Sequence, residues 1–185
     1  MKRILVLGSG GAGKSTFARR LGELLNIEVK HLDKFYWRRG WTEPSKDEWL
    51  QIVDELTRGD SWIIDGNYGG TLEARLERCD TIILLDMPRW LCLWRVVKRP
   101  LLYRNGSRPD MAEGCPEQLD PEFLSWIWNY SRSSKPRIVR LISEYSESRR
   151  FVCLRSTAEV KRFLSTGLQD FRDLHVNMQG ELPNG

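Results

Sequence analysis

No stretch of the 185-residue chain approaches the roughly 20 consecutive apolar residues that a membrane-spanning helix needs. The apolar run near the N-terminus, Ile4-Leu5-Val6-Leu7, stops at Gly8. That is too short for the apolar region of a signal peptide and right for a buried strand. The four cysteines, Cys79, Cys92, Cys115 and Cys153, are scattered and contain no C-x-x-C pair. Their spacing argues against a zinc site or a disulfide framework and for reduced thiols in a cytoplasmic protein. There is no internal repeat and no second domain boundary.

What remains is an ordinary globular mixture, 41% apolar and 29% charged, long enough for one sizeable core. The net charge of +4 means little until it is located. Between Met87 and Arg140 there are ten Lys/Arg against five Asp/Glu, so the rest of the chain is close to neutral. A local surplus of this kind suits a polyphosphate ligand or nucleic acid, with a solvated basic face as the plainer alternative.

The patterning predicts five short strands alternating with helices. Lys2–Leu7, Val29–Asp33, Trp62–Ile64, Thr81–Leu85 and Phe151–Leu154 read as strands. Helical spacing covers Lys14–Leu25, the segment after the capping box Ser45-Lys46-Asp47-Glu48, Leu72–Glu77, and Arg89–Lys98 with a break at Pro100. Residues 100–120 read as a loop; Asp120-Pro121 opens a further helix, Pro136–Ser146 forms another, and Ser156-Thr157-Ala158-Glu159 caps a last one. The pattern fades after about Ser165, leaving residues 166–185 as a partly disordered C-terminal extension. Alternation of this kind predicts an α/β fold, a parallel sheet covered by helices on both faces, in a single domain over residues 1–165 with an inserted lid at about 99–135.

Gly8-Ser9-Gly10-Gly11-Ala12-Gly13-Lys14-Ser15 matches G-x-x-x-x-G-K-[ST] in full and lies between a predicted strand and a predicted helix. Glycines let backbone N–H groups curl around phosphate oxygens, and Lys14 supplies a charge to the β- and γ-phosphates. The Ser15 hydroxyl can ligate Mg²⁺, and the helix that follows the loop adds its positive end. ATP and Mg²⁺ are therefore the expected ligands, held along Gly8–Thr16. Phosphoryl transfer also needs carboxylates and cations. Asp65, Asp33 and Asp86 stand at predicted strand ends, where open α/β sheets bind ligands. Asp65 is the candidate metal-organising carboxylate, and Asp33 the candidate for orienting an acceptor hydroxyl. Arg95 and Arg99 share a helix face, and Arg104, Arg108, Arg132 and Arg137 flank the loop beyond. Trp49, Trp90 and Trp94 fall on apolar helix stripes and are expected in the core. Trp37 and Trp41 are candidates for the wall of an acceptor pocket, while Trp126 and Tyr130 are expected to pack.

The phosphate loop, the strand-end Asp65-Gly66 and the run Asp86-Met87-Pro88 with Arg95 and Arg99 resemble the adenylate kinase group of P-loop kinases. That resemblance implies a five-stranded sheet in the order 2-3-1-4-5, a base site near Arg95 and the Leu154-Arg155-Ser156 loop, and phosphate contacts from Arg99. It also implies two lid-exit arginines on the transferred phosphate, Arg132 and Arg137 here. A resemblance over most of residues 1–165 is to the bacterial DNA topology modulation proteins, related to FlaR. It is carried by His31-Leu32-Asp33, Tyr36-Trp37, Gly40-Trp41, Trp62 to Tyr68, and Arg108-Pro109-Asp110-Met111-Ala112-Glu113-Gly114-Cys115-Pro116-Glu117. That family is described as adenylate-kinase-like ATP-binding proteins.

One departure bears on the substrate. Adenylate kinases follow Asp-Gly with Phe-Pro-Arg, whose arginine holds the acceptor's phosphate, whereas Asp65-Gly66 is followed by Asn67-Tyr68-Gly69. Arg75, Arg38 and Arg39 are the candidate replacements. An aspartate at position 33 is closer to kinases of small hydroxylated molecules such as shikimate or gluconate. With only Cys115 in the lid, a four-cysteine zinc lid is excluded. The leading expectation is an ATP- and Mg²⁺-dependent phosphotransferase acting on a small acceptor; the alternative is an ATP-binding regulatory or DNA-associated protein with little turnover.

Overall fold

Successive residues of the first strand, β1 (Arg3–Gly8), go to opposite faces of the sheet, as a pleated strand requires. Leu5 and Leu7 join one apolar layer, and Ile4 and Val6 join the other. The computed structural model describes residues 1–103, 108–116, 118–145 and 149–166. Four further strands complete a parallel sheet: β2 (Val29–His31), β3 (Trp62–Asp65), β4 (Thr81–Leu85) and β5 (Arg150–Leu154). Their order is β2-β3-β1-β4-β5, with β1 in the centre, as the resemblance implied.

Eight α-helices among the described residues cover the sheet: α1 (Lys14–Leu25), α2 (Leu32–Tyr36), α3 (Lys46–Thr57), α4 (Leu72–Arg78), α5 (Arg89–Leu102), α6 (Pro121–Asn129), α7 (Ser134–Tyr145) and α8 (Thr157–Thr166). On one face Trp49 and Val53 of α3, Leu72 and Leu76 of α4, and Ile138 and Leu141 of α7 pack with Leu5, Trp62, Ile64 and Leu84. On the other, Phe17 and Leu21 of α1, Cys92 and Val96 of α5, and Ile127 of α6 pack with Ile4, Ile63, Ile83 and Val152. The caps predicted from sequence are present. Ser45 accepts from the Glu48 N–H at 3.3 Å, Asp120 accepts from the Glu122 N–H at 2.9 Å, and Ser156 accepts from the Glu159 N–H at 3.1 Å.

Three expectations need correction. The second strand ends at His31 rather than Asp33, because β3 ends at Asp65, opposite His31, and no ladder partner remains beyond it. The backbone satisfies itself in the short helix α2 instead, placing Asp33 in its first turn. Helix α5 does not break before Pro100 but runs through it to Leu102. Proline there forfeits a single intrahelical bond close to the helix end, and the Tyr103 N–H still donates to the Arg99 carbonyl at 2.9 Å. Trp90 and Trp94, expected in the core, are 65% and 56% exposed. Helix α5 carries two apolar sides, and the sheet takes the one bearing Cys92 and Val96.

Arg75 of α4 is fully buried, which a lone guanidinium tolerates only when its donors are used. Its Nη1 donates to the Gly66 carbonyl at 2.9 Å, Nη2 to the Tyr68 carbonyl at 2.9 Å and also to the Asn67 carbonyl, and Nε to the Thr71 carbonyl at 3.2 Å. Burial lowers its pKa to about 9, which leaves it protonated at neutral pH. Arg75 is thus the clamp on the turn after β3 and not a surface for an acceptor's phosphate. Arg75→Met keeps the apolar stem and strands these carbonyls, at a cost of about 2–4 kcal/mol. The expected outcome in a thermal melt is a midpoint lower by roughly 5–15 °C.

Candidate active site at the carboxyl end of the sheet

The turn leaving β1 closes on itself through the Ala12 N–H, which donates to the Ser9 carbonyl at 3.1 Å. Gly11 and Gly13 have φ of 76° and 94°, a region that residues with a Cβ rarely occupy. A Cβ on Gly11 would also lie 2.3 Å from the Cys92 carbonyl oxygen, so the turn rests directly on the backbone of α5. Phe123 and Ile127 of α6 press on Gly10 from another side. Asn67 fastens the turn to the end of β3. Its Oδ1 accepts from the Gly8 N–H at 3.1 Å, and its Nδ2 donates to the Gly8 carbonyl at 2.9 Å.

Inside this cradle the Lys14 ammonium donates to the Ser9 carbonyl at 3.0 Å. Burial lowers the Lys14 pKa, the negative charges of Asp33 and Asp65 oppose that, and the neighbouring Arg99 adds to the lowering. The Ser9 hydroxyl is buried with no protein partner. A buried donor of this sort, beside an ammonium and a ring of glycine N–H groups, fits a phosphate oxygen.

The carboxylates stand around Lys14. Asp65 is buried at the end of β3, and the His31 Nδ1 lies 2.5 Å from its Oδ1. Burial on its own would lower the His31 pKa, but the hydrogen bond and charge of Asp65, with Asp110 behind, raise it overall. Asp33 accepts from the Tyr68 hydroxyl at 2.7 Å on Oδ1, and Arg108 lies 3.9 Å from its Oδ2. Arg108 is equally 3.9 Å from Asp110. Burial disfavours charge on Asp110, yet Arg108 and a hydrogen bond from the Ser15 side chain lower its pKa overall. The segment 108–116 is moored beside the site: the Gly40 N–H donates to the Gly114 carbonyl at 3.0 Å, and the Cys115 thiol reaches the Arg38 carbonyl at 3.1 Å. Aromatic rings cluster beside Asp33, whose carboxylate Tyr68 contacts. Tyr36 and Tyr68 have centroids 4.6 Å apart, and Trp37 and Trp41 5.3 Å.

Asp86, the third strand-end candidate, is engaged with the Lys135 ammonium at 2.8 Å. Arg38 is paired with Glu48, and Arg39 lies against Gly114. Arg95 donates from Nη1 to the Gly11 and Ala12 carbonyls at 3.3 and 3.1 Å, and from Nη2 to the Thr157 hydroxyl at 3.4 Å. It therefore joins the phosphate loop to the β5–α8 connection, where Arg155 is exposed. Arg132 and Arg137 are exposed, in the turn after α6 and on α7. Arg104 and Glu117 lie outside the described residues.

Four neighbours of the site escaped sequence reasoning. All four entered only as carriers of the topology-modulation resemblance, with no role assigned, and Asn67 and Tyr68 also as the place where an arginine is missing. His31 and Asp110 bear no periodic signal, although His31 two residues before Asp33 at a strand end was a usable clue.

Among the described residues no three His, Cys, Asp or Glu side chains converge as a metal site. The donors at hand, the Ser15 hydroxyl with Asp65 and the adjacent Asp110, are hard oxygens suited to Mg²⁺. A magnesium ion here would take its remaining ligands from phosphate oxygens and water. No described helix is long and apolar enough to cross a membrane.

No family model matches the chain. Shikimate kinase 1 of Erwinia tasmaniensis is 28% identical over 142 residues, 65% of this chain and 80% of that protein. Shikimate kinase 1 of Yersinia enterocolitica matches to the same extent. Among solved structures, shikimate kinase from Acinetobacter baumannii in complex with shikimate aligns with a TM-score of 0.58 at 17% identity, over 95% of this chain and 96% of its own. Shikimate kinase from Bacteroides thetaiotaomicron aligns with a TM-score of 0.51 at 15% identity, over 94% and 99%. Sheet order, phosphate loop and these relatives together support an adenylate-kinase-like P-loop kinase.

The His31–Asp65 pair carries a pH signature. A histidine whose folded pKa is raised stabilises the fold fully below its unfolded value, about 6.5, and that stability is lost as pH rises through the folded pKa. Urea midpoints measured at about pH 6 and about pH 9 should therefore differ less in His31→Gln than in the parent chain. An unchanged difference would show that the pair contributes nothing.

Proposed function

We propose that this chain is a Mg²⁺-dependent phosphotransferase that moves the γ-phosphoryl group of ATP to a hydroxyl of a small acceptor. The observation that carries the reading is the position of Asp33, whose charge acts on the half-buried Lys14 and whose one oxygen is held by Tyr68. Gly8 to Thr16 hold the triphosphate, with Lys14 against the β- and γ-phosphates and Ser15 and Asp65 as the metal-organising pair. The metal, when bound, draws charge from the phosphoryl oxygens. Arg95 and the loop containing Arg155 border the base, and Arg99, Arg132 and Arg137 are the candidate cations for the migrating group.

In the transfer step the acceptor oxygen forms a bond to the γ-phosphorus while the bond to the ADP oxygen breaks, and the hydroxyl proton passes to Asp33. Tyr68 fixes the carboxylate, so its second oxygen faces the acceptor side next to Arg108. Trp37 and Trp41 wall that side. The acceptor is read as a hydroxylated molecule rather than a nucleoside monophosphate, because the guanidinium nearest the missing adenylate-kinase arginine, Arg75, is spent on backbone carbonyls. The relatives make shikimate the first acceptor to test.

A coupled ADP-release screen over shikimate, other hydroxy acids, sugars, nucleosides and nucleoside monophosphates tests this. Stimulation by one class is expected. Lys14→Ala should abolish turnover, and Asp33→Asn should lower kcat by about 10²–10⁴ while ATP affinity holds within a few-fold. Full turnover in Lys14→Ala refutes the assignment. Acceptor-independent ADP release, with a salt-sensitive DNA gel shift, would instead favour an ATP-binding, DNA-associated protein of the kind the topology-modulation resemblance implies.

A further inference from the structure

Residues 108–111 form a turn in which the Met111 N–H donates to the Arg108 carbonyl at 3.1 Å. Pro109 suits its second position, because the ring presets the φ that such a turn needs. Met111 and Cys115 are buried and anchor the segment. Gly114, at a φ of 77°, brings the backbone so close to Arg39 that a Cβ there would lie 2.5 Å from the Arg39 Cγ. With the bonds from Gly40 to Gly114 and from Cys115 to Arg38, the segment is a fixed platform. It presents two charged side chains to the site. Arg108 stands 3.9 Å from Asp33 and 3.9 Å from Asp110, and Asp110 accepts a hydrogen bond from the Ser15 side chain. The Asp110 side chain is only 14% exposed. Asp65, the other carboxylate near the phosphate turn, gives its Oδ1 to His31 instead.

A hydroxyl carries one proton and two acceptor lone pairs, so it binds a cation well only when the proton points elsewhere. A carboxylate on the proton side fixes that orientation and makes the oxygen a better donor to the metal. We propose that Asp110 is the positioning residue for Ser15 as a magnesium ligand, holding the hydroxyl by its proton and leaving the oxygen's lone pairs to the metal. This rests on the Mg²⁺–ATP site proposed above and adds to it a residue from a distant part of the chain. The opposite arrangement is a plug, in which Asp110 blocks Ser15 until the metal and nucleotide displace it. The anchoring of residues 108–116 opposes a plug, since Asp110 would have to leave a platform held at both Gly114 and Cys115. Arg108 on the same turn offsets the charge of Asp110, which lets a further carboxylate stand beside a phosphate site.

Isothermal titration calorimetry of the full chain with ADP and Mg²⁺ tests this. In Asp110→Asn the Mg²⁺ affinity of the ADP-saturated chain should fall by about 10–100-fold. ADP affinity in EDTA should not weaken in the same variant. Asp110→Glu should recover part of the Mg²⁺ affinity. Ser15→Ala should lower it too, and adding Asp110→Asn to Ser15→Ala should lower it little further, because the two residues act as one unit. Mg²⁺ affinity that is unchanged in Asp110→Asn, or tighter as a displaced plug would give, overturns the proposal. So does a parallel loss of ADP affinity with and without metal, which marks a structural role only. ADP binding that requires Lys14 yet is indifferent to Asp110 removes this inference alone and leaves the nucleotide reading standing. Failure of the parent chain to bind ADP at all overturns both.

Discussion

The paired hydrogen bonds between Asn67 and Gly8 join the two strand ends that any chemistry here must bring together. On one side lies the phosphate turn, whose backbone needs left-handed glycines and rests on the carbonyl of Cys92. On the other lies the turn after β3, which Arg75 holds through the carbonyls of residues 66–68. Between them sit Lys14 and Asp65. Because the amide of Asn67 serves both the N–H and the carbonyl of Gly8, the two turns cannot slide independently. His31, Tyr68 and Asp33 hang on that fixed frame, and the moored segment 108–116 brings Arg108 and Asp110 up to it.

The same frame accounts for a substitution that looks like a loss. Where an adenylate kinase keeps an arginine for its acceptor's phosphate, this chain has Asn67 and Tyr68. Asn67 works on the phosphate turn, and Tyr68 turns its hydroxyl to Asp33. The exchange of a cation for a phenol beside a carboxylate supports the proposed hydroxyl acceptor over an anionic ester. The aromatic faces of Tyr36, Trp37 and Trp41 are consistent with the ring or carbon skeleton of such a molecule.

Much of the architecture was legible because local signals agreed with one another. The capping boxes at Ser45 and Ser156, the Asp-Pro start at residue 120, and the glycine-rich turn between an apolar run and a helix each fixed an element, and the strand order followed from the resemblance they carried. The failures have physical causes. Periodicity located the stripe containing Trp90 and Trp94 but not which of two apolar sides the sheet would take. A proline near a helix end costs one bond, so Pro100 read as a stop where the helix continues. The strand carrying His31 ended early because its partner did, which is a property of β3 and invisible in the residues of β2. The side chains that approach from a loop, Arg108 and Asp110, have no spacing rule at all; their place depends on where Gly114 and Cys115 find partners.

The order of the sheet also bears on how the chain is made. The central strand β1 precedes its neighbours β3 and β4 by about sixty and seventy-five residues. At ribosomal speeds of about 5–20 residues per second, Ile4 to Leu7 wait several seconds before either edge is covered. Throughout that interval the nascent protein presents an apolar strand with open backbone groups. The backbone groups of β1 find their ladder partners only once β3 and β4 have been made.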